Sequence, residues 1–459
     1  METIETDVVI IGASTSGSYT SWLLGKKGVR CVIVEKEKIE SLGRAIGPFH
    51  VEEVALERFG LPYPPDEEIL HIEKNSTTWS PGGDAVVEFE FPTLVLDKPH
   101  FIRRFAEYAK DAGAEILEET SFESIIWEKG IPSGVIAVKE AEGSPEKFHI
   151  KAKILIDASG IEGVLRCAMP GSPWFENDRI SDKDTIFVYM ETWEDIQGRL
   201  NLGFNSFIHY QAWCAPGPGD TTIVGIGMAG SSEAARERHR RFVEKVGLKG
   251  KVLSSTNGRI PYRRPPFSLV DNGVMVAGDA AFQNKPFSGE GVTSAFTACQ
   301  IVADVAYSAL EKDDVTRESL WDYNRLYFSG QGAKFAQIMA TVPATMKATE
   351  DEMNYLLKTP GFMTAESSIA LQRDYETGGG SLDLNALSYL ARCIASRKIS
   401  PRLIGEIIFS GFLGSALRKH YENYPEHPAQ FYSWKKRAEA LWRRAEAIRY
   451  SYFENAPLT

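Results

Sequence analysis

The pattern of apolar and polar positions at the start of the chain predicts two buried strands joined by a helix. Val8-Val9-Ile10-Ile11 is a continuous apolar run, and residues 29–34 (VRCVIV) form a second one. Between them, residues 18–27 (SYTSWLLGKK) have helical character. Short apolar runs on either side of a helix are typical of neighbouring strands in a parallel sheet. This region is therefore predicted to be a strand–helix–strand unit.

The middle of the chain shows patterns that mark strands of a different kind of sheet. Val86 to Phe91 alternates between apolar and acidic residues, and Thr185 to Thr192 and Thr222 to Gly227 also have strand character. The charged stretch 140–147 (EAEGSPEK) interrupts the pattern and predicts a hairpin loop. Together these segments predict an antiparallel sheet.

From about residue 325 the spacing of apolar residues becomes helical. It is helical over 333–357, 383–397 and 401–420, and GGGS at 378–381 predicts a loop or hinge within this part. The apolar stretch from Leu403 to Leu417 contains Glu406 and is too short to span a bilayer, so it predicts a core helix.

The composition excludes several classes of protein. A chain of 459 residues is expected to form two or three packed units. Its formal charge of -11 argues against a nucleic-acid partner. Its 5 cysteines form no C-x-x-C pair, which predicts a reducing environment without disulfides or a metal site. The N-terminal residues have no basic segment before the first strand, so we expect no signal peptide and a cytoplasmic protein.

The turn after the first strand, Gly12-Ala13-Ser14-Thr15-Ser16-Gly17, resembles a phosphate-binding turn. Gly12 and Gly17 stand where a tight turn and close helix–strand packing require glycine, while Ser14 replaces the glycine that lets a pyrophosphate approach. Glu35 ends the second strand 23 residues after Gly12, where an acidic residue binds ribose hydroxyls. On this evidence alone, a strand–helix–strand unit without a ligand stays open.

Two further segments favour a nucleotide site. Ile154 to Gly160 is a further apolar strand with a turn, and Gly273 to Ala281 is a strand that ends in a Gly-Asp pair. Asp279 is placed at that strand end to accept hydrogen bonds from a polyol. A helix predicted to begin near Gly289 offers free N–H groups and the positive end of its dipole to an electron-rich ring.

In this order the three motifs resemble the FAD-binding set of the p-hydroxybenzoate hydroxylase-like flavoproteins. Within that superfamily the chain is similar to the geranylgeranyl reductase family over nearly its whole length, including GRIPYRRPPFSLVDNGVMVAGDAAF and YENYPEHP. The resemblance implies an α/β fold with a Rossmann-like FAD-binding domain, a substrate domain on an antiparallel sheet, and a C-terminal helical region. The expected ranges are 1–84, 97–172 and 258–324 for the first, 85–96 and 173–257 for the second, and 325–459 for the third.

The resemblance also assigns roles to individual residues. It places Gly12, Ser14 and Gly17 around the pyrophosphate, Glu35 on the adenosine ribose and Asp279 on the ribityl chain. Gly289 and Gly291 would lie near the flavin pyrimidine edge, and Arg104 would touch the cofactor unless it is a solvated helix charge. The full implied FAD set is Gly12, Ser14, Thr15, Ser16, Gly17, Glu35, Lys36, Arg44, Ala45, Arg104, Gly160, Gly278, Asp279, Pro286, Gly289, Glu290, Gly291 and Val292.

The activity that the resemblance implies is reduction of an isolated prenyl double bond in an isoprenoid lipid or its precursor. In the family, reduced flavin gives hydride to one carbon and a proton adds to the other. The electron donor, ferredoxin or NAD(P)H, stays open. Two other activities also stay open: a flavin monooxygenase of the same fold, and an electron-transfer flavoprotein that reduces a quinone.

Two departures from the family pattern bear on the substrate site. The family's Cys-Gly pair beside the flavin is Ile46-Gly47 here, and its Y-x-W-x-F-P motif retains only Trp213 and Pro216. These four residues are the implied substrate contacts. His50 and Tyr210 are the candidate proton donors.

The last predicted helix, Trp434 to Tyr450, carries six Lys or Arg residues against Glu439 and Glu446. Trp434, Leu441 and Trp442 would share an apolar face. Such a helix either contacts a membrane surface peripherally or docks on its own protein with a solvated charged face.

Overall fold

The computed structural model describes residues 2–44, 47–140, 145–377 and 392–455. Some predictions from the sequence lie wholly or partly outside these residues. They concern Ala45 and Ile46, the hairpin loop at 140–147, the GGGS segment, and the first part of the helix expected over 383–397.

The strands are β1 (Glu2–Glu5), β2 (Val8–Ile11), β3 (Cys31–Val34), β4 (Phe49–Glu52), β5 (Ile69–Trp79), β6 (Ala85–Leu96), β7 (Glu115–Leu117), β8 (Thr120–Glu128), β9 (Ile131–Lys139), β10 (Glu146–Lys151), β11 (Ile154–Asp157), β12 (Thr185–Gln197), β13 (Phe204–Phe207), β14 (Ala212–Pro216), β15 (Thr222–Met228), β16 (Lys249–Pro261), β17 (Val270–Asp271) and β18 (Val274–Val276). Within the described residues they form three sheets, named below the parallel, the large and the small sheet.

The helices are α1 (Thr15–Gly25), α2 (Glu53–Phe59), α3 (Lys98–Asp111), α4 (Val164–Ala168), α5 (Ser232–Val246), α6 (Val292–Glu311), α7 (Arg317–Tyr327), α8 (Ala333–Thr345), α9 (Glu350–Lys358), α10 (Ala365–Asp374), α11 (Pro401–Glu422) and α12 (Phe431–Asn455). A π-helical turn, Phe328–Gly332, joins α7 to α8.

The parallel sheet has the strand order β17-β18-β11-β2-β3-β7. Strands β2, β3 and β11 are buried at every position, which explains their continuous apolar sequences. Helix α1 packs against both α3 and α6. The predicted strand–helix–strand unit is confirmed, except that α1 begins at Thr15, inside the glycine turn, and the second strand begins at Cys31.

The large sheet has the order β16-β12-β15-β14-β13-β5-β6-β4. It contains the three strands predicted in this part of the chain, and it also takes in β4, β5 and the end of β16, which lie outside the ranges 85–96 and 173–257. Its pairs are antiparallel except for β13 with β5, which is parallel. The long connection between these two strands makes a parallel pair possible. The small sheet, β1-β10-β9-β8, carries the predicted 140–147 hairpin, of which residues 141–144 are outside the description.

The C-terminal region is helical, as predicted. The segment expected to be helical over 333–357 is two helices, because a capping box at Thr349 and Glu352 starts α9. The apolar face of α12 is buried against the protein: Trp434 and Trp442 are 7% and 4% exposed. These tryptophans therefore pack against the rest of the protein and do not form an exposed apolar face. Within the described residues no helix combines the length and the apolarity needed to cross a bilayer.

Candidate functional site: a nucleotide edge beside an apolar sheet face

The predicted nucleotide-binding residues meet at the carboxyl edge of the parallel sheet. Gly12 follows β2, Glu35 follows β3, Gly160 follows β11, and Gly278 with Asp279 follows β18. Because β2, β3, β11 and β18 run parallel, their carboxyl ends lie along one edge, where sheets of this type bind ligands.

The glycine turn has the geometry that a phosphate site requires. Gly12 has φ of +103°, and a Cβ there would collide with the carbonyl oxygen of Ala158. A Cβ on Gly17 would collide with the carbonyl oxygen of Gly12. Ser14 is the N-cap of α1 and its side chain makes no capping hydrogen bond. The N–H groups of the first turn, at Thr15 and Ser16, are thus left for an anion.

Glu35 is fixed against this turn. Its carboxylate is buried and accepts hydrogen bonds from the N–H of Ala13 at 2.8 Å and from the N–H of Glu37 at 2.9 Å. Each carboxylate oxygen retains a lone pair that can accept from a ribose hydroxyl. Lys36, the next residue, is exposed.

Asp279 faces the same edge from β18. Among the described residues its carboxylate makes no hydrogen bond, and burial raises its pKa, against the charge of Lys98. Burial lowers the pKa of Lys98 to about 8, although the negative charge of Asp279 acts to raise it. Gly291 is so close that a Cβ on it would lie 2.9 Å from Oδ1 of Asp279. The sequence reasoning missed Lys98, although its place at the start of a helix after a buried strand was a usable signal.

The donors and acceptors at this edge fit FAD. The turn at Gly12 and Gly17 has no Cβ at these two positions and has free N–H groups, so a pyrophosphate can approach it. The carboxylates of Glu35 and Asp279 can accept hydrogen bonds from the ribose and from the ribityl chain. Gly160 and Gly278 both have positive φ, and a Cβ on Gly278 would collide with Oγ of Ser16, so the chain after β18 lies directly against the first turn of α1.

Two arginines predicted to bind the cofactor have different surroundings. Arg104 is not a solvated helix charge: it is buried and donates to both oxygens of Glu68, at 2.6 and 2.8 Å, and to Tyr108. Arg44 is exposed and donates to the carbonyl oxygen of Glu40 at 3.2 Å. Contact of either guanidinium with FAD stays a prediction.

The loop 283–291 carries a buried ion cluster. Lys285 has no exposed surface, and its ammonium pairs with Glu52 of β4 and, at 2.9 Å, with Glu290. Burial opposes the charge of Lys285, yet Glu290 and Glu52 raise its pKa above the ordinary value. Burial would raise the pKa of Glu290, but Lys285 holds it below the ordinary value. The sequence reasoning included Glu290 and missed Lys285 and Glu52, because only the fold brings β4 to this loop.

The other predicted residues of this loop are Pro286, Gly289, Gly291 and Val292, and they lead into helix α6. Pro286 is buried, Gly289 has φ of +81°, and Gly291 is the N-cap of α6, whose first residue is Val292. Helix α6 therefore begins three residues after Gly289, and the positive end of its dipole lies next to this loop.

The two candidate proton donors lie in separate places. His50 is on β4 beside the ion cluster, and its Nε2 is buried without a hydrogen-bond partner among the described residues. Burial lowers the pKa of His50, opposed by Glu290. Tyr210 packs against Phe242 of α5 and donates to Glu350 at 3.3 Å; burial raises its pKa to about 12. The structure thus brings His50, and not Tyr210, to the loop 283–291.

One face of the large sheet forms an apolar wall next to this loop. Trp213 lies over Gly225 in van der Waals contact and packs with aliphatic residues of the neighbouring strands. Ile260 of this wall would touch a Cβ on Gly289, which places the wall against the loop 283–291. The apolar wall consists of Ile186, Val188, Met190, Trp213, Ile223 and Ile260. The opposite face of the sheet is covered by α5. Pro216 ends β14, and Gly47 precedes β4.

Comparison with known proteins agrees with this geometry. A family model described as an FAD binding domain matches residues 5–194. The digeranylgeranylglycerophospholipid reductase of Sulfolobus acidocaldarius is 25% identical over 453 residues, which cover 96% of this chain and 98% of that protein. The reductase of the same name from Methanothrix thermoacetophila is 26% identical over 367 residues, 76% of this chain and 90% of that protein. Over nearly its whole length the chain is therefore similar to geranylgeranyl reductases.

The fold is shared with solved structures of other flavoproteins. A geranylgeranyl bacteriochlorophyll reductase-like protein from Thermoplasma acidophilum superposes with a TM-score of 0.71 at 18% identity, covering 89% of this chain and all of that one. A flavin-dependent brominase superposes with a TM-score of 0.61 at 18% identity, covering 86% of this chain. The protein is a flavin-dependent oxidoreductase with FAD as its cofactor.

Proposed function

We propose that this flavoprotein reduces isolated carbon–carbon double bonds in the prenyl chains of an isoprenoid lipid or lipid precursor. The observation that carries the proposal is the apolar wall around Trp213, which meets the loop 283–291 at Gly289. In support of the proposal, one relative that matches 96% of this chain and another that matches 76% of it are named digeranylgeranylglycerophospholipid reductases. A hydrocarbon substrate needs such a surface, because it offers no polar group by which to be held.

Different residues of the chain bind the cofactor and the substrate. Gly12, Gly17, Glu35 and Asp279 hold FAD at the edge of the parallel sheet. When bound and reduced, FAD supplies the hydride for one alkene carbon. The apolar wall holds the prenyl chain against the cofactor edge and excludes water, so that proximity contributes much of the rate. The smaller residues Gln211 and Ala215, in place of the family's Tyr and Phe, leave room for a wide chain.

We assign the proton for the second alkene carbon to His50. Its Nε2 is buried, has no other partner among the described residues, and lies beside a cluster of two carboxylates and one ammonium. The carboxylates of Glu290 and Glu52 favour the imidazolium, while burial and Lys285 oppose it. We therefore expect the rate of alkene reduction to fall as pH rises through a His50 pKa below 6.5, and we expect His50→Gln to remove this pH dependence.

The test is an anaerobic reduction. The enzyme is reduced with dithionite and mixed with geranylgeranyl diphosphate or a geranylgeranylated phospholipid. Mass spectrometry then measures whether the product has gained two hydrogens per double bond. Trp213→Ala should weaken the reaction. The matched control is Trp127→Ala, which removes a tryptophan that is 41% exposed on the small sheet.

The same assay separates the alternatives. A product heavier by one oxygen, formed with NAD(P)H and O₂ and without alkene reduction, would make the protein a monooxygenase. Rapid reoxidation of the flavin by a quinone alone would make it an electron carrier. Replacing dithionite by reduced ferredoxin or by NAD(P)H identifies the physiological class of donor.

A further inference from the structure

Helix α11 presents an apolar face to solvent. Phe409 and Phe412 are 48% and 58% exposed and lie three residues apart, so their side chains share one side of the helix. Gly405 and Ala416 continue the same side a turn away in each direction and are also exposed. Two large aromatic rings exposed side by side on a helix are an uncommon arrangement in a solvated surface.

The opposite side of α11 packs against the rest of the protein. Leu413 and Leu417 are buried, and a Cβ on Gly414 would come within 2.8 Å of Thr341 of α8. The packing that fixes the helix therefore does not use Phe409 or Phe412. Their exposure is not required by the fold.

Basic residues border this apolar side. Arg397, Lys398 and Arg402 precede the phenylalanines and are all exposed. Residues 392–405 contain four Lys or Arg and no Asp or Glu, although the whole chain has a formal charge of -11. The next acidic residue, Glu406, is half-buried and paired with Lys347 and Arg402, at 3.1 and 3.2 Å.

We propose that this surface, formed by Arg397, Lys398, Arg402, Phe409 and Phe412 and called here the α11 surface, docks on an anionic lipid bilayer. The two rings enter the boundary between headgroups and acyl chains, and the three cations bind lipid phosphates. The charge argues for this partner, because a basic, aromatic surface on an acidic protein complements a negatively charged interface. The proposal deepens the proposed function, since a membrane-borne prenyl lipid would be met at this surface.

The experiment measures co-sedimentation of the FAD-loaded full chain with vesicles of phosphatidylcholine, alone or mixed with phosphatidylglycerol. The native protein should bind the mixed vesicles, and added salt should weaken the binding. Arg397→Gln with Lys398→Gln and Arg402→Gln should weaken it about a hundredfold, since each charge contributes roughly a fivefold factor. Phe409→Ser with Phe412→Ser should weaken it about tenfold or more.

The matched control is Leu202→Ser. Leu202 is 86% exposed, but it lies in the loop before β13, so its loss should leave vesicle binding unchanged. Flavin content and circular dichroism check that every variant is folded.

Three results would overturn the proposal. They are no vesicle binding by the native protein, equal binding by the native protein and both variants, and a dimer that Phe409→Ser with Phe412→Ser converts to a monomer without lipid binding. The variants should still reduce a prenyl substrate in detergent. Failure of that reaction in the native protein, with vesicle binding intact, would contradict the proposed function and not the docking surface.

Discussion

Ser14 and Gly12 show why one glycine of the turn can be replaced and the other cannot. Ser14 has φ of -74° and ψ of -165°, an extended backbone that any residue adopts. Its position favours glycine only for the close approach of phosphate, and a small hydroxymethyl group narrows that space without closing it. Gly12 has a left-handed backbone and no room for a Cβ, so both its conformation and its packing require glycine.

Loss of the Asp279 carboxylate should weaken FAD binding. Among the described residues this carboxylate has no hydrogen-bond partner, so it is available for the cofactor's hydroxyls. Asp279→Ala should reduce the affinity by about 1.5–3 kcal/mol, the contribution of a hydrogen bond to a charged group. Titration of the apoprotein with FAD, followed by flavin fluorescence, measures this change. The control, Asp220→Ala, alters an exposed carboxylate in a turn and should have no effect.

Glu73 should make the protein less stable as pH rises. It is 3% exposed on β5, and both carboxylate oxygens lack a hydrogen-bond partner at normal geometry among the described residues. Burial raises its pKa from 4.5 to about 7, and the backbone N–H groups of Phe204 and Asn75 limit the rise. Below pH 4.5 the carboxyl is protonated in both states. Between pH 4.5 and 7 the unfolded chain releases its proton first, so the free energy of unfolding decreases.

Glu73→Gln should remove this decrease. The variant should be more stable than the native protein above pH 7, by up to about 3 kcal/mol, and should differ little from it below pH 4.5. Urea unfolding at a series of pH values measures the difference. Glu90→Gln, an exposed change on the adjacent strand β6, should leave the pH profile as it is. Equal profiles for all three proteins would show that Glu73 ionises normally in the fold.

At the scale of elements, one ion cluster ties strand β4 to the loop before α6. Lys285 of the loop pairs with Glu52 at the end of β4, although 233 residues separate them. Strand β4 is at the edge of the large sheet, and the loop belongs to the cofactor edge of the parallel sheet. The cluster therefore connects the edge of the large sheet to the loop before α6.

Lys285→Met should destabilise the protein strongly. It would leave the buried carboxylate of Glu52 and the half-buried carboxylate of Glu290 without this cation, and breaking a buried pair costs about 3–5 kcal/mol. Urea unfolding measures the change. The control is Lys251→Met, which breaks an exposed pair with Glu194 and should cost less than about 1 kcal/mol. Similar losses for the two variants would mean that water reaches the Lys285 cluster.

For the whole molecule, burial of the thiols has a chemical consequence. Cys31, Cys214, Cys299 and Cys393 are all buried, while Cys167 is half-buried. Burial raises the pKa of Cys31 to about 12 and that of Cys299 to about 11, so almost no thiolate is present at neutral pH.

Thiol reagents should therefore leave flavin reduction and turnover largely intact. Iodoacetamide at neutral pH should label Cys167 first, and the other four should react only after unfolding, as peptide mass spectrometry can measure. Inactivation that maps to Cys214 or Cys299 would instead show that a thiol elsewhere in the fold has taken the place of the family's cysteine.

Elements with a strong local signal were predictable from the sequence. The apolar runs of β2, β3 and β11 match strands buried on both faces, and the glycine turn matches the start of α1. Boundaries were less predictable where side-chain capping decides them. At Thr349 a capping box starts α9, so the segment expected to be one helix over 333–357 is two helices.

By itself the sequence determined the cofactor edge, because its glycines, Glu35 and Asp279 act through local backbone geometry and strand ends. Tertiary structure alone decided which polar groups accompany them. Lys98 meets Asp279, Lys285 meets Glu52, and His50, not Tyr210, reaches the loop 283–291, because each of these contacts joins elements far apart in the chain. The same holds for α11 and α12, both rich in apolar and basic residues: packing buries the tryptophans of α12 and leaves Phe409 and Phe412 of α11 in solvent.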